Sequence, residues 1–174
     1  MRLPASVGLL LLAALISSCA TVMPHRGVSS IGPYQSFTGR LIVIEPTRRW
    51  QVIIHWDGQP DRGQVRLTHA ASNRIIQVSW DGKEIRMRDN RNPVDGWKII
   101  DHSHLQSMGI ILPPQQLAMI LNGSIPPSLK EKKPNLWKGK MNDTLLLLKW
   151  TEERRRLEIT DIEHGREAIL VIQP

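Results

Sequence analysis

A chain of 174 residues is long enough for one domain with its own hydrophobic core and short for two of ordinary size. Its 41% hydrophobic and 22% charged residues exclude a disordered protein, and its single cysteine excludes an intramolecular disulfide framework. The formal charge of +7 suits an anionic partner, either a nucleic acid or a phosphate-bearing lipid.

The chain opens with a secretory signal layout. Arg2 follows Met1, an apolar run covers residues 7–16, and the small residues Ser17 and Ser18 precede Cys19. The run is too short to span a bilayer as a helix. An exported protein does not meet the genome, so lipid phosphate is the nearer anion and no nucleic acid is expected. A simply solvated basic surface is an equal alternative. A lone thiol in an exported protein needs an explanation. Ile16-Ser17-Ser18-Cys19 offers one, because it resembles the lipobox of bacterial lipoproteins. That resemblance implies cleavage after residue 18 and an N-acyl diacylglycerol on Cys19, with no other cofactor. Ala20, in place of an aspartate after the cysteine, implies sorting to the periplasmic face of the outer membrane. Several acyl chains, at about 0.8 kcal/mol per buried CH2, make such an anchor effectively permanent. Residues 19–35 contain Pro24, Gly27, Ser29, Ser30, Gly32 and Pro33 without a hydrophobic period. They read as a lipidated flexible tether, and residues 36–174 read as the domain.

The domain begins with strand patterns. Residues 37–44 are β-rich. Trp50, Val52, Ile54 and Trp56 alternate with Arg49, Gln51, His55 and Asp57, with Ile53 as the exception. The second strand therefore buries one face. Residues 57–63 are turn material, and Val65 and Leu67 alternate with Gln64, Arg66 and Thr68. Asp81-Gly82 is a two-residue hairpin signal that predicts pairing of Trp80 with Lys83. Counting outward puts Ile76, Val78, Trp80, Ile85 and Met87 on a buried face. Gln77, Ser79, Glu84, Arg86 and Arg88 fall on the other. Residues 89–96 read as a polar loop.

The period then changes. Asp101 caps a short helix over residues 102–108. Pro113-Pro114 opens a second, with Leu117, Ile120 and Leu121 as its apolar stripe and Gly123 as its end. Residues 130–134 read as a basic loop. Strands return at residues 136–140, 144–150, 156–161 and 167–172, and residues 145–148 are apolar on both faces. Five strands, two short helices and four strands imply a mostly β chain with an antiparallel sheet. Such a sheet curls into a barrel or an open half-barrel, and the helices cover or plug its concave face.

No catalytic constellation stands out, and an enzyme is not expected. The chain has no second cysteine, no Gly-x-Ser-x-Gly and no phosphate loop. Its histidines are His25, His55, His69, His102, His104 and His164. His102-Ser103-His104 would put two imidazoles on one side if extended, but no third ligand stands close in sequence, so no metal is expected. Turn chemistry accounts for Asp57, Asp61 and Asp89, and capping for Asp101. The tryptophans are either ordinary core or the wall of a cavity for acyl chains.

Several pieces follow one another in a telling order. They are Phe37-Thr38-Gly39-Arg40, the strand from Trp50 to Trp56, Leu67-Thr68 before a short loop, and the Trp80-Asp81-Gly82 hairpin. Gly109-Ile110-Ile111-Leu112-Pro113 comes next, then Leu117, Leu121, Gly123 and Pro126, and last Leu157-Glu158-Ile159-Thr160-Asp161. With the lipobox, this order resembles the LolB family of outer-membrane lipoprotein receptors. The resemblance implies an open antiparallel barrel with a helical lid over an apolar cavity. It also implies a monomer that takes acylated lipoproteins from a LolA-like periplasmic carrier and releases them into the outer membrane. On this reading Trp50, Val52, Ile54, Trp56, Ile76, Val78, Trp80, Ile85, Met87, Leu117, Ile120 and Leu121 line the acyl-chain cavity. The family's membrane-insertion loop follows the strand that ends in Leu67-Thr68. Here it contains Ala70, Ala71 and Ser72, with Ala71 where the family has a leucine. Alanine buries far less apolar area. That departure keeps a second reading open, an envelope lipoprotein that uses the fold for lipid binding or as a scaffold.

Overall fold

The computed structural model describes residues 30–92, 94 and 96–173. The expected signal peptide, Cys19, Ala20 and residues 21–29 of the span read as tether lie outside them. The chain runs through β1 (Ser36–Glu45), β2 (Arg48–Gly58), β3 (Arg62–His69), β4 (Arg74–Asp81), β5 (Glu84–Asp89) and β6 (Lys98–Ile100). Two short helices follow, α1 (His102–Ser107) and α2 (Pro114–Leu121). Then come β7 (Leu129–Lys133), β8 (Leu136–Met141), β9 (Thr144–Thr151), β10 (Arg156–Asp161) and β11 (Arg166–Ile172).

The strands form one antiparallel sheet in the order β6-β5-β4-β3-β2-β1-β11-β10-β9-β8-β7. The first and last strands meet in its middle, with Gly39 opposite Ile172 and Ile44 opposite Glu167. Its two edges, β6 and β7, are therefore the strands on either side of the helical segment. They do not pair with each other, so this is an open barrel, as the family resemblance implies. Twist curls a sheet of this width. The inward residues of both halves, from Val52 and Ile54 to Leu146, Leu148 and Leu157, join with Ile120 and Leu121 of α2 in one core.

Eleven strands replace the nine expected, and both additions are edges. β6 has three residues, too few to show a period. β7 lies where residues 130–134 read as a basic loop, because after the buried Leu129 it is Lys-Glu-Lys-Lys, with no apolar alternation. Lysine on an edge strand keeps other chains from pairing with it. The β4–β5 hairpin also differs. Asp81 pairs with Glu84 and Trp80 with Ile85, so Gly82-Lys83 is the loop and the predicted Trp80–Lys83 pair does not form. Gly82 has φ +56° at the first central position, as a type II′ turn requires. The register moves by two residues, an even step, so the faces predicted for Val78, Trp80, Ile85 and Met87 are kept.

Within the span read as tether, Ile31 is fully buried. The Tyr34 N–H donates to Leu121 O at 2.7 Å, and the Tyr34 ring lies 5.7 Å from that of Trp150. The packed domain thus begins about five residues before the first strand.

Both helices end as the glycines predict. Gly109 has φ +83°, Gly109 N–H reaches Gln106 O and Ile110 N–H reaches Leu105 O, each at 3.0 Å. Gly123 has φ +90°, with Gly123 N–H to Ile120 O at 3.0 Å and Ser124 N–H to Met119 O at 2.9 Å. Each is a complete Schellman motif. Asp101 caps α1, accepting from the His104 N–H and the Ser103 hydroxyl at 2.8 Å. Those bonds, the His104 one first, hold its carboxyl below the usual range. Asp101→Ala should fray the first turn of α1, read as faster amide exchange at His104 with the strands unchanged.

Candidate functional site

The concave face is where the sequence candidates meet. Period-two alternation turns Val52, Ile54 and Trp56 of β2 inward, with Val78 and Trp80 of β4 and Ile85 of β5, all buried. Trp50, Ile76, Met87 and Leu117 are half-buried and pack against the same cluster. Ile120 and Leu121, fully buried, bring α2 onto it. The nine sheet residues therefore form one surface, and Leu117, Ile120 and Leu121 of α2 pack onto it. Sequence reasoning stopped at the N-terminal half of that surface. Leu146, Leu148 and Trp150 of β9, Leu157 and Ile159 of β10 and Ile172 of β11 supply the rest. Their alternation was legible in β10, but the four leucines of β9 hid which pair faces in.

Trp80 occupies a slot built by two glycines. It pairs with Gly63, and a Cβ there would fall 2.4 Å from the Trp80 ring. A Cβ at Gly58 would fall 2.6 Å from the same ring. Residues 57–63 thus do more than turn, because they leave out side chains to admit an indole. The Trp80 Nε1–H donates to Gln59 O at 2.9 Å. Trp56 stands 5.1 Å from Trp80 and stacks on Phe37 at 6.1 Å. Its buried Nε1 has no hydrogen-bond partner among the described residues.

The helical segment is also tied to the sheet by charge. Asp161, fully buried at the end of β10, accepts from Arg166 Nε at 3.0 Å, Arg166 Nη2 at 2.5 Å and the His164 N–H at 3.1 Å. Burial by itself would raise the Asp161 carboxyl, but these donors outweigh it and hold it below the usual range. Arg166 Nη1 reaches on to Gln106 O of α1 at 3.4 Å. Beside it, Glu45 is bonded to Arg48, which lowers its carboxyl, and its Oε1 lies where a Cβ on Gly109 would be. His102 and His104 lie on α1, and His102 Nε2 is 3.2 Å from Gln106 Nε2.

The loop between β3 and β4 is short and polar. Ala70, Ala71, Ser72 and Asn73 are exposed. Ser72 N–H donates to His69 O at 3.3 Å, and Asn73 has φ +48°. No helix among the described residues is long and apolar enough to cross a membrane.

No curated protein matches the sequence. Among solved structures, a LolA superfamily protein from Nitrosomonas europaea is similar, with 12% identity, 83% of this chain and 86% of that chain covered, and a TM-score of 0.46. The model of the family described as outer membrane lipoprotein LolB matches residues 34–157, the stretch that holds β1 to β9, both helices and the start of β10. The chain belongs to the LolB family of outer membrane lipoproteins.

Proposed function

We propose that this protein accepts acylated lipoproteins from a LolA-like periplasmic carrier and helps insert them into the outer membrane. It does so as a monomer, held at the membrane by acyl chains on Cys19, with no cofactor beyond that covalent lipid. The observation that carries this reading is the continuous apolar lining of the concave face, covered by a separate helical segment. That segment connects the two edges of an unclosed sheet. It can therefore swing outward without breaking a strand pairing. Acyl chains would then take the place of Leu117, Ile120 and Leu121 against the tryptophans and aliphatic residues of the sheet. Non-directional apolar contact suits varied chains, and a downhill order of affinities moves them without a nucleotide or a metal. Family membership supports the lipoprotein as ligand, since LolB proteins bind and transfer lipoproteins rather than act as enzymes.

One observation favours a second reading, a lipid-binding or scaffold lipoprotein without transfer activity. The loop of residues 70–73 offers the membrane two alanines as its only apolar side chains. A transfer assay decides. The chain from Ala20 onward is mixed with a carrier loaded with acylated lipoprotein, then with outer-membrane vesicles. Movement onto the protein and then into the vesicles is the expected result. Lipoprotein that never leaves the carrier would sink the proposal and bring the scaffold forward.

A further inference from the structure

Five large hydrophobic side chains are exposed on the described surface, and three fall in one stretch. Val94, Trp97 and Ile99 are 98%, 45% and 71% exposed. A cluster of that kind marks a contact surface more often than scattered single residues do.

Register sets these residues among cations. Arg86 pairs with Ile99 across β5 and β6, while Ile85 pairs with Ile100 and Met87 with Lys98. Alternation sends Ile85, Met87 and Ile100 to the concave side and Arg86, Arg88 and Ile99 outward. The Arg88 guanidinium stands 5.1 Å from the Trp97 ring centroid, and its Nε donates to Gln77 Oε1 at 2.5 Å. Both partners are uncharged. Arg66, Gln77 and Arg88 line an outer groove of about 370 Å³. From Arg86 to Ile100 the sequence carries four cations and two acids.

This patch adjoins the polar loop of residues 70–73. Arg74, just after that loop, holds Asp89 through Nε at 2.9 Å and Nη2 at 2.6 Å. Asn90 Nδ2 donates to Asn73 O at 2.9 Å, and Asn90 Oδ1 accepts from the Ile75 N–H at 2.8 Å. The chain that leaves β5 is thus bonded to the chain that leaves β3.

We propose that Val94, Trp97 and Ile99, with Arg88 against Trp97, form the surface by which this protein sits in the headgroup layer of an anionic bilayer. The contact lies one hairpin away from residues 70–73. Tryptophan prefers the interface between acyl chains and water. An arginine on its face meets phosphate without leaving water. Charge decides for lipid over protein, because the outward neighbours Arg66 and Arg88 are cationic; Arg86 is cationic too but is ion-paired with Glu84. The edge strand β6 also has only three residues on which to add a partner strand. The inference needs no cargo and stands apart from lipoprotein transfer.

Vesicle co-sedimentation tests it. The protein is the non-acylated chain from Ala20 onward, which holds the whole packed core. It should bind vesicles containing phosphatidylglycerol, and bind phosphatidylcholine vesicles about tenfold more weakly. Trp97→Ser with Ile99→Ser should lower binding to the anionic vesicles at least about tenfold, with an unchanged near-ultraviolet circular dichroism spectrum. Arg88→Gln should lower it less, and Ile162→Ser, at an exposed side chain outside the patch, not at all. No binding by the parent chain, or equal binding by the double variant, overturns the proposal. So does a double variant that binds vesicles normally but loses self-association or capture of the carrier, which assigns the face to a protein. Acceptance of lipoprotein from the carrier is read separately and does not depend on this surface.

Discussion

Asp161→Ala should cost the folded protein roughly 3–5 kcal/mol, the range for removing one partner of a buried ion pair. The carboxylate is fully buried and receives both the guanidinium of Arg166 and the N–H of His164. Its loss leaves Arg166, only 17% exposed, without its hydrogen-bonded counter-charge. The effect should spread to the lid, because the same guanidinium reaches Gln106 O of α1. Urea denaturation measures the first effect and amide exchange over α1 the second. A change below about 1 kcal/mol would show that the pair is structurally idle. The pH dependence has a definite sign. The folded carboxyl lies below its ordinary value of 3.8, held there by Arg166 and His164 against the effect of burial. Its stabilisation is therefore complete above the unfolded pKa and fades as pH falls through the lower, folded value. Acid unfolding of the parent chain should steepen below about pH 4, and the variant should lack that component.

Trp80→Ala should cost about 3–5 kcal/mol, as buried tryptophans do when truncated. The indole is 3% exposed and fills the space left by Gly58 and Gly63. Its neighbour Trp56 is itself held by stacking on Phe37, so the cavity should persist. Filling the slot from the other side is the matching test. Gly58→Ala should cost about 1–3 kcal/mol by overpacking, since its Cβ would fall 2.6 Å from the same ring. Thermal denaturation reads both. If Gly58→Ala in the Trp80→Ala background costs as much as it does alone, the slot is not the reason for the glycine. Trp80→Ala also enlarges the concave face where acyl chains would lie. If the proposed transfer function holds, a retained lipoprotein should then leave for vesicles at an altered rate.

Much of the concave face was legible before any coordinates. Alternation alone sorted Trp50, Val52, Ile54 and Trp56 from Gln51 and His55, and Ile53 is exposed as the exception it looked. The hairpin faces survived a two-residue error in register, because faces depend only on parity. The helix ends were legible too, since Asp101, Pro114, Gly109 and Gly123 act on backbone groups next to them in sequence. The β9 leucines were ambiguous because both faces of that strand are apolar, so no period marks the inward pair.

What the sequence determined by itself was therefore local: element type, inward faces, caps and the polar character of residues 70–73. Each follows from a side chain acting on its own backbone or repeating with a fixed period. Only the tertiary structure decided that β6 and β7 are edges, that Ile31 belongs to the core, and that Gly58 and Gly63 make room for Trp80. It alone joined Asp161, Arg166 and the carbonyl of Gln106. The reason is separation along the chain. Arg166 and Gln106 are 60 residues apart, and Trp80 is 21 from Gln59. Such contacts exist only once the chain has folded back on itself, when non-local burial repays the entropy of closing the chain between them.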